Sequence, residues 1–206
     1  MSEPDVSAPA FWQRRYERGE DGWDLGGPHP SLVHLLDTAP PPPGRVLVPG
    51  CGRGWDALAL AQRGWEVVAV DFAEAAVGTA RRLAATVGGR LTVAQRDLFT
   101  LGPEWTAAFD GVWEHTCFCA IDPARRDAYA ALVARVLRPG GWFLACFFPL
   151  RAAGGPPFAV TPADVVPRLA RHFRVERVGP PPRPVPHRAG QEWLLRARRV
   201  DAPGRP

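Results

Sequence analysis

Three glycines at alternate positions, Gly50, Gly52 and Gly54, follow an apolar run, and an acid, Asp71, ends the next one. The stretch reads VLVPGCGRGWDALALAQRGWEVVAVDF from Val46 to Phe72. Glycines at a strand end let backbone N–H groups come close to a ligand. A carboxylate about 20 residues on, at the tip of the neighbouring strand, is placed to accept hydrogen bonds from ribose hydroxyls. The expected ligand therefore carries a ribose.

The spacing separates two such ligands. The dinucleotide fingerprint is GxGxxG, whose third glycine allows close helix–strand packing. Here that position holds Trp55, which disfavours a pyrophosphate. The GxGxG form suits S-adenosylmethionine, whose methionyl end needs backbone contacts and no phosphate cradle. In AQRDLF, Asp97 sits just past the third strand, within reach of an adenine amino group, with Leu98 beside it. A loop or capping role is the alternative for Asp97.

Methyl transfer from a sulfonium is an in-line displacement that needs an aligned nucleophile and a dry site. A sulfonium cation is attracted to aromatic faces. Trp12, Tyr16 and Trp23 can supply these from a segment ahead of the sheet; core packing is the alternative for each. Glu114 and His115 end the fourth strand. A halide acceptor needs no base, whereas a thiol near neutral pH gains from one, because the thiolate is the nucleophile. Histidine titrates in that range, so His115 is the candidate base; simply hydrogen-bonding the cofactor or filling the pocket is its alternative. Glu114 is expected to fix a neighbouring backbone or an arginine. His29 and His34 are assigned surface or structural roles, with lining the pocket as the alternative for His29, and Glu192 an arginine pairing. Cys117 and Cys119 form a CxC among apolar neighbours and are expected to be buried. GPPF, residues 155–158, lacks the leading Asn or Asp of an amino-methyltransferase NPPY motif and is expected to be a substrate-side loop. No metal site is expected.

The elements that must position these groups alternate. Strands are predicted at Arg45–Val48, Glu66–Val70, Leu91–Ala94, 109–115, 142–148, 174–179 and 192–200. Helices are predicted at Ala10–Gly19, from a Ser31 cap through Asp37, at Trp55–Arg63, and over AEAAVGTARRLAATV, PARRDAYAALVARVL and TPADVVPRLARHF. This is a Rossmann-like α/β pattern: a doubly wound, mostly parallel seven-stranded sheet. The last strand follows another with no helix between, so it inserts antiparallel. Residues 1–9 are expected to be a disordered tail and 201–206 a second tail. Residues 10–200 form one domain: an N-terminal cap at 10–38, the proline linker APPPPG, and the core at 45–200.

At 206 residues the chain fits one domain with a full core. All 25 basic residues are arginines, scattered rather than clustered, so no nucleic-acid footprint is expected. The N-terminus has no signal-peptide core, and no apolar run is long enough for a bilayer. The four cysteines have neither CxxC nor zinc spacing, which predicts reduced thiols in a cytoplasmic protein.

The sequence resembles the thiopurine and thiol/halide methyltransferase family over Phe11 to about Val200. FWQRRYERGEDGWDLGGPHPSLVHLL is similar to that family's W-x3-W-x6-W cap and the helix after it. VLVPGCGRGWD is similar to its glycine loop, and WEHTCFCAIDPARR to its D-Y-x-F-F-C-A-I segment. The resemblance implies cofactor contacts from Trp12, Tyr16, Trp23, Gly50, Asp71, Asp97 and His115. Tyr16 stands where a tryptophan is usual, and His115 where a tyrosine is usual. The expected activity is S-adenosylmethionine-dependent methylation of a thiol, thiopurine, halide or chalcogen compound by a monomer. A methyltransferase for a larger acceptor, and a non-catalytic S-adenosylmethionine-binding module, are the competing readings.

Overall fold

The computed structural model describes residues 5–200. Seven strands form one sheet: β1 (Arg45–Pro49), β2 (Glu66–Asp71), β3 (Leu91–Gln95), β4 (Phe109–His115), β5 (Leu137–Phe147), β6 (Phe173–Gly179) and β7 (Trp193–Arg199). Their order is β3-β2-β1-β4-β5-β7-β6. Strands β1 to β5 pair in parallel, and β7 lies antiparallel between β5 and β6. This is the doubly wound, mostly parallel sheet with an antiparallel last strand that the pattern predicts.

Alternation along each strand feeds two cores. Val46, Val48, Val67 and Ala69 face α2 (Pro30–Thr38) and α3 (Trp55–Gln62). Leu47, Val68 and Val70 face the side covered by α5 (Arg126–Val136) and α6 (Pro162–Leu169). A sheet covered on both faces needs apolar residues at every position, which is why these strands read as unbroken apolar runs. After β3 the chain crosses to the far side of β1 to build β4, so the crevice over β1 and β4 is the switch point where such folds bind ligands.

Several boundaries differ from expectation. The disordered tail expected at 1–9 fails from residue 5 onward: α1 begins at Pro9 (Pro9–Glu17), and the Trp12 indole donates to the Val6 carbonyl at 2.8 Å. The rest of that tail, and the tail at 201–206, lie outside the described residues. The cap of α2 is His29, not Ser31; its Nδ1 accepts from the Ser31 N–H at 3.1 Å. Leu32 and Leu36 of α2 pack on the sheet, so α2 belongs to the core and the cap is the shorter segment around α1. Strand β5 starts at Leu137 because Arg138–Gly141 bulges out between its pairings with Phe109 and Gly111. Among the described residues, no helix is long and apolar enough to cross a membrane.

Candidate active site

Strand β1 runs into the glycine turn. Gly50 and Gly52 have φ of +55° and +54°, a region L side chains rarely occupy. A Cβ on Gly50 would lie 2.6 Å from Cys117 Sγ, and one on Gly52 would lie 3.1 Å from Tyr16 Oη. The close approach that GxGxxG assigns to its third glycine is made here by Gly54, where a Cβ would sit 2.9 Å from Ala80 Cβ of α4 (Glu74–Ala84). Asp71 at the end of β2 holds the turn. Its Oδ2 accepts from Gly52 N–H and its Oδ1 from Ala73 N–H, both at 2.9 Å. Burial pushes this carboxyl above its ordinary value against those bonds. Each oxygen keeps a further lone pair for a ligand.

A cavity of about 420 Å³ opens above the strand ends. It is lined by Trp12, Tyr16, Trp23, Gly50, Gly52, Asp71, Asp97, Leu98 and His115 together. The cap aromatics line it and also pack on each other. Trp23 meets Trp12 edge-on at 5.5 Å and Tyr16 at 5.4 Å, and its indole donates to Tyr16 Oη at 3.3 Å. Arg53 of the glycine turn pairs with Asp21 and, at 2.6 Å, with Asp24, which docks the cap on the core. Asp97 lines the cavity and also takes its alternative role, its Oδ1 accepting from Phe99 N–H at 2.9 Å. Pro156 and Pro157 of GPPF line the cavity as well.

The end of β4 is built around a buried acid. Glu114 accepts from Cys117 N–H at 3.0 Å, Phe118 N–H at 2.9 Å and Tyr129 Oη at 2.5 Å. Burial pushes its carboxyl up to about 7. This clamp holds the turn in which Thr116, a β-branched residue, adopts φ +60°, a strain of order 1–3 kcal/mol. The turn presents His115 to the cavity. Its Nδ1 lies 3.0 Å from Asp56 Oδ2, and its Nε2 lies 3.4 Å from Arg188 Nη1.

Asp56 and Arg188 were not among the sequence candidates. Asp56, in the first turn of α3, also accepts from Trp113 Nε1 at 2.7 Å and from the His29 N–H at 2.6 Å. Burial raises its pKa, but the bonds from His115, Trp113 and His29 outweigh this and hold the carboxyl below its ordinary value. An acid following the glycines was the available signal, in GRGWD. Arg188 carries no local signal, since it lies in a proline-rich loop far along the chain. Its Nη2 donates to the Trp23 carbonyl at 2.9 Å, and its guanidinium lies 4.7 Å from the Phe148 ring centre.

His29, Cys146 and Glu192 place a nitrogen, a sulfur and an oxygen within 4.8 Å of one another. The cap bond into His29 Nδ1 requires that nitrogen to be bare, so the ring proton sits on Nε2 and points at Glu192 Oε1, 3.2 Å away. The histidine is thereby neutral and satisfied, and burial holds its pKa below the ordinary value. The role of His29 is structural, and fully buried rather than at the surface. Glu192 also stands 4.0 Å from Arg188, so the expected arginine pairing is joined by a closer histidine. Cys117, Cys119 and Cys146 are buried free thiols, while Cys51 is half-buried.

The residues present fit S-adenosylmethionine. The glycine turn leaves a cradle that a side chain would fill, and Asp71 keeps acceptor capacity. Arg15 lines the same cavity with its buried Nε unpartnered among the described residues.

A family model for thiopurine S-methyltransferases matches residues 7–192. Thiocyanate methyltransferase 1 of Arabidopsis thaliana is 34% identical over 199 residues, covering 92% of this chain and 85% of that protein. A thiopurine S-methyltransferase of Pseudomonas fluorescens is 34% identical over 173 residues, covering 76% of this chain and 79% of that one. In fold, the chain is similar to the 1,6-didemethyltoxoflavin-N1-methyltransferase of Burkholderia thailandensis, with a TM-score of 0.77 at 24% identity over 98% of this chain and 92% of that one. With its glycine turn, its acid at β2 and its aromatic cap gathered round one cavity, the chain belongs to the thiopurine S-methyltransferase family and is an S-adenosylmethionine-dependent methyltransferase.

Proposed function

We propose that the acceptor is a small soft nucleophile (a thiol, thiopurine, halide or chalcogen compound) and that His115 is the base for acceptors that carry a proton. The observation that carries this reading is that His115 and Arg188 line the cavity together, with His115 Nε2 3.4 Å from Arg188 Nη1. S-adenosylmethionine, when bound, supplies an electrophilic methyl group on a sulfonium. Asp71 would accept from its ribose hydroxyls, and Asp97 and Leu98 would border its adenine. Gly50 and Gly52 would admit its methionyl end, and Arg15 would offer the carboxylate a cation. Trp12, Tyr16 and Trp23 would face the positive charge and exclude water. His115 Nε2 takes the thiol proton, leaving a thiolate beside the Arg188 guanidinium.

The protein acts as a cytoplasmic monomer without a nucleic-acid partner. Free cysteines suit a reducing compartment. Among the described residues, the exposed large hydrophobics are only Val178 and Val200, which favours a monomer.

The test is release of S-adenosylhomocysteine with hydrosulfide, an aromatic thiol, a thiopurine, iodide and selenite. His115→Ala is expected to lose about 100-fold or more in kcat/KM with a thiol of high pKa, and much less with iodide. Equal losses would remove the base role. Turnover with oligonucleotides alone would overturn the acceptor class.

A further inference from the structure

We propose that Asp56 is the positioning residue that makes His115 a base, by fixing which ring nitrogen carries the proton. This rests on the reading of His115 given above and deepens it.

Asp56 accepts from the His29 N–H and the Trp113 indole N–H, and its Oδ2 stands 3.0 Å from His115 Nδ1. A carboxylate held below its ordinary pKa is an acceptor, so the group facing it on His115 is Nδ1–H. Neutral imidazole then has its lone pair on Nε2, the nitrogen directed to Arg188 at the cavity wall. The cation beside Nε2 requires the same: a second N–H there would face the guanidinium N–H. Asp56 and Arg188 thus select one tautomer from opposite sides of the ring.

The charges around His115 decide how it takes a proton. Arg188 lies on one edge, Asp56 on the other, and the His29 ring packs edge-on at 4.6 Å, with Glu192 behind it. His29 is neutral, because its cap bond leaves no room for a second ring proton. Arg188 alone would oppose a positive imidazolium. Asp56 offsets it at 3.0 Å. In the step, the acceptor S–H bond breaks and an Nε2–H bond forms. The electron pair stays on sulfur, which would then take the methyl carbon as the cofactor's own sulfonium S–C bond breaks and S-adenosylhomocysteine leaves. The imidazolium is held by Asp56 at Nδ1, while Arg188 turns from Nε2 to the thiolate, and the Nε2 proton then passes to solvent.

His115 Nδ1 reaches the acid in the first turn of the glycine-loop helix, so its partner is held on a rigid element.

The test is Asp56→Asn against a series of thiols of rising pKa and against iodide. An asparagine amide turned towards His115 donates to Nδ1 and moves the ring proton to Nε2, removing the base. The expected loss in kcat/KM grows with thiol pKa and reaches about 100-fold or more for an alkyl thiol. With iodide it stays within about threefold, which a merely structural loss would not allow. A loss independent of thiol pKa, or equal for iodide, overturns the proposal. The variant also disturbs the His29 and Trp113 bonds, so a measurement on the unaltered protein stands beside it. Long-range 1H–15N NMR of the His115 ring, assigned by its disappearance in His115→Ala, is expected to show a protonated Nδ1 and a bare Nε2 near neutral pH. The opposite tautomer overturns the proposal. If His115→Ala spares thiol turnover, the base reading itself fails. If His115→Ala is selectively impaired and Asp56→Asn is not, only the positioning role fails.

Discussion

The most exposed consequence at the level of single residues is the charge state of Glu114. Its carboxyl is fully buried, and burial raises its pKa from 4.5 to about 7 despite three hydrogen bonds. The folded state therefore binds this proton more tightly than the unfolded chain does. Stability from that proton is complete below pH 4.5 and is lost as pH rises to about 7. The full difference is about 3 kcal/mol. Between pH 4.5 and 7.5 the slope of the denaturant midpoint against pH should be more positive in Glu114→Gln than in the unaltered protein, where the loss at Glu114 opposes the gain from His29, which is held below its ordinary value. An unchanged slope in the variant would show that Glu114 is not the group responsible. The sequence placed Glu114 correctly as a residue that fixes backbone. It gave no sign of the depth of burial, because that depends on the packing of the sheet and on Tyr129 of α5 reaching the carboxylate.

Among the elements, the turn between β1 and α3 is the most constrained. Gly50 combines a left-handed backbone with the nearby Cys117 sulfur. Gly50→Ala must therefore accept strain of order 1–3 kcal/mol and displace the turn after β4 at the same time. The expected result is a lower thermal midpoint together with weaker S-adenosylhomocysteine binding by calorimetry. Retained affinity and stability would mean the turn is softer than its contacts imply. The glycine spacing and Asp71 were legible because they lie in one continuous stretch whose apolar period announces strand, turn, helix and strand. The cap of α2 was misplaced by two residues. Histidine is a rare cap, and the serine after it carries the usual capping signature. Strand β5 was started late because Pro139-Gly140-Gly141 reads as a stop, whereas in the sheet it is a bulge next to β4.

For the molecule as a whole, the cavity spans the cap, the ends of β1, β2 and β4, and the loop before β7. A ligand that bridges these parts binds the folded chain and not the unfolded one. S-adenosylhomocysteine at 100 times its Kd should add about 2.7 kcal/mol, roughly 5–10 °C in Tm for a chain of this length. NAD at the same concentration should leave Tm unchanged. A rise with NAD and none with S-adenosylhomocysteine would reverse the reading of GxGxG.

The sequence by itself determined what is local or periodic: the alternating strands and helices, the antiparallel last strand, the glycine turn, the acid at the tip of β2 and the aromatic cap. Each of these is written in neighbouring residues, through spacing and backbone preference. Only the tertiary structure decided the surroundings of His115. Asp56, His29 and the Arg188–Glu192 pair come from three separate parts of the chain, and the sheet order and the packing of α2 bring them together. Hydrogen bonds over such sequence separations leave no period to read, because they are set by where the strands end in space and not by what precedes them in the chain.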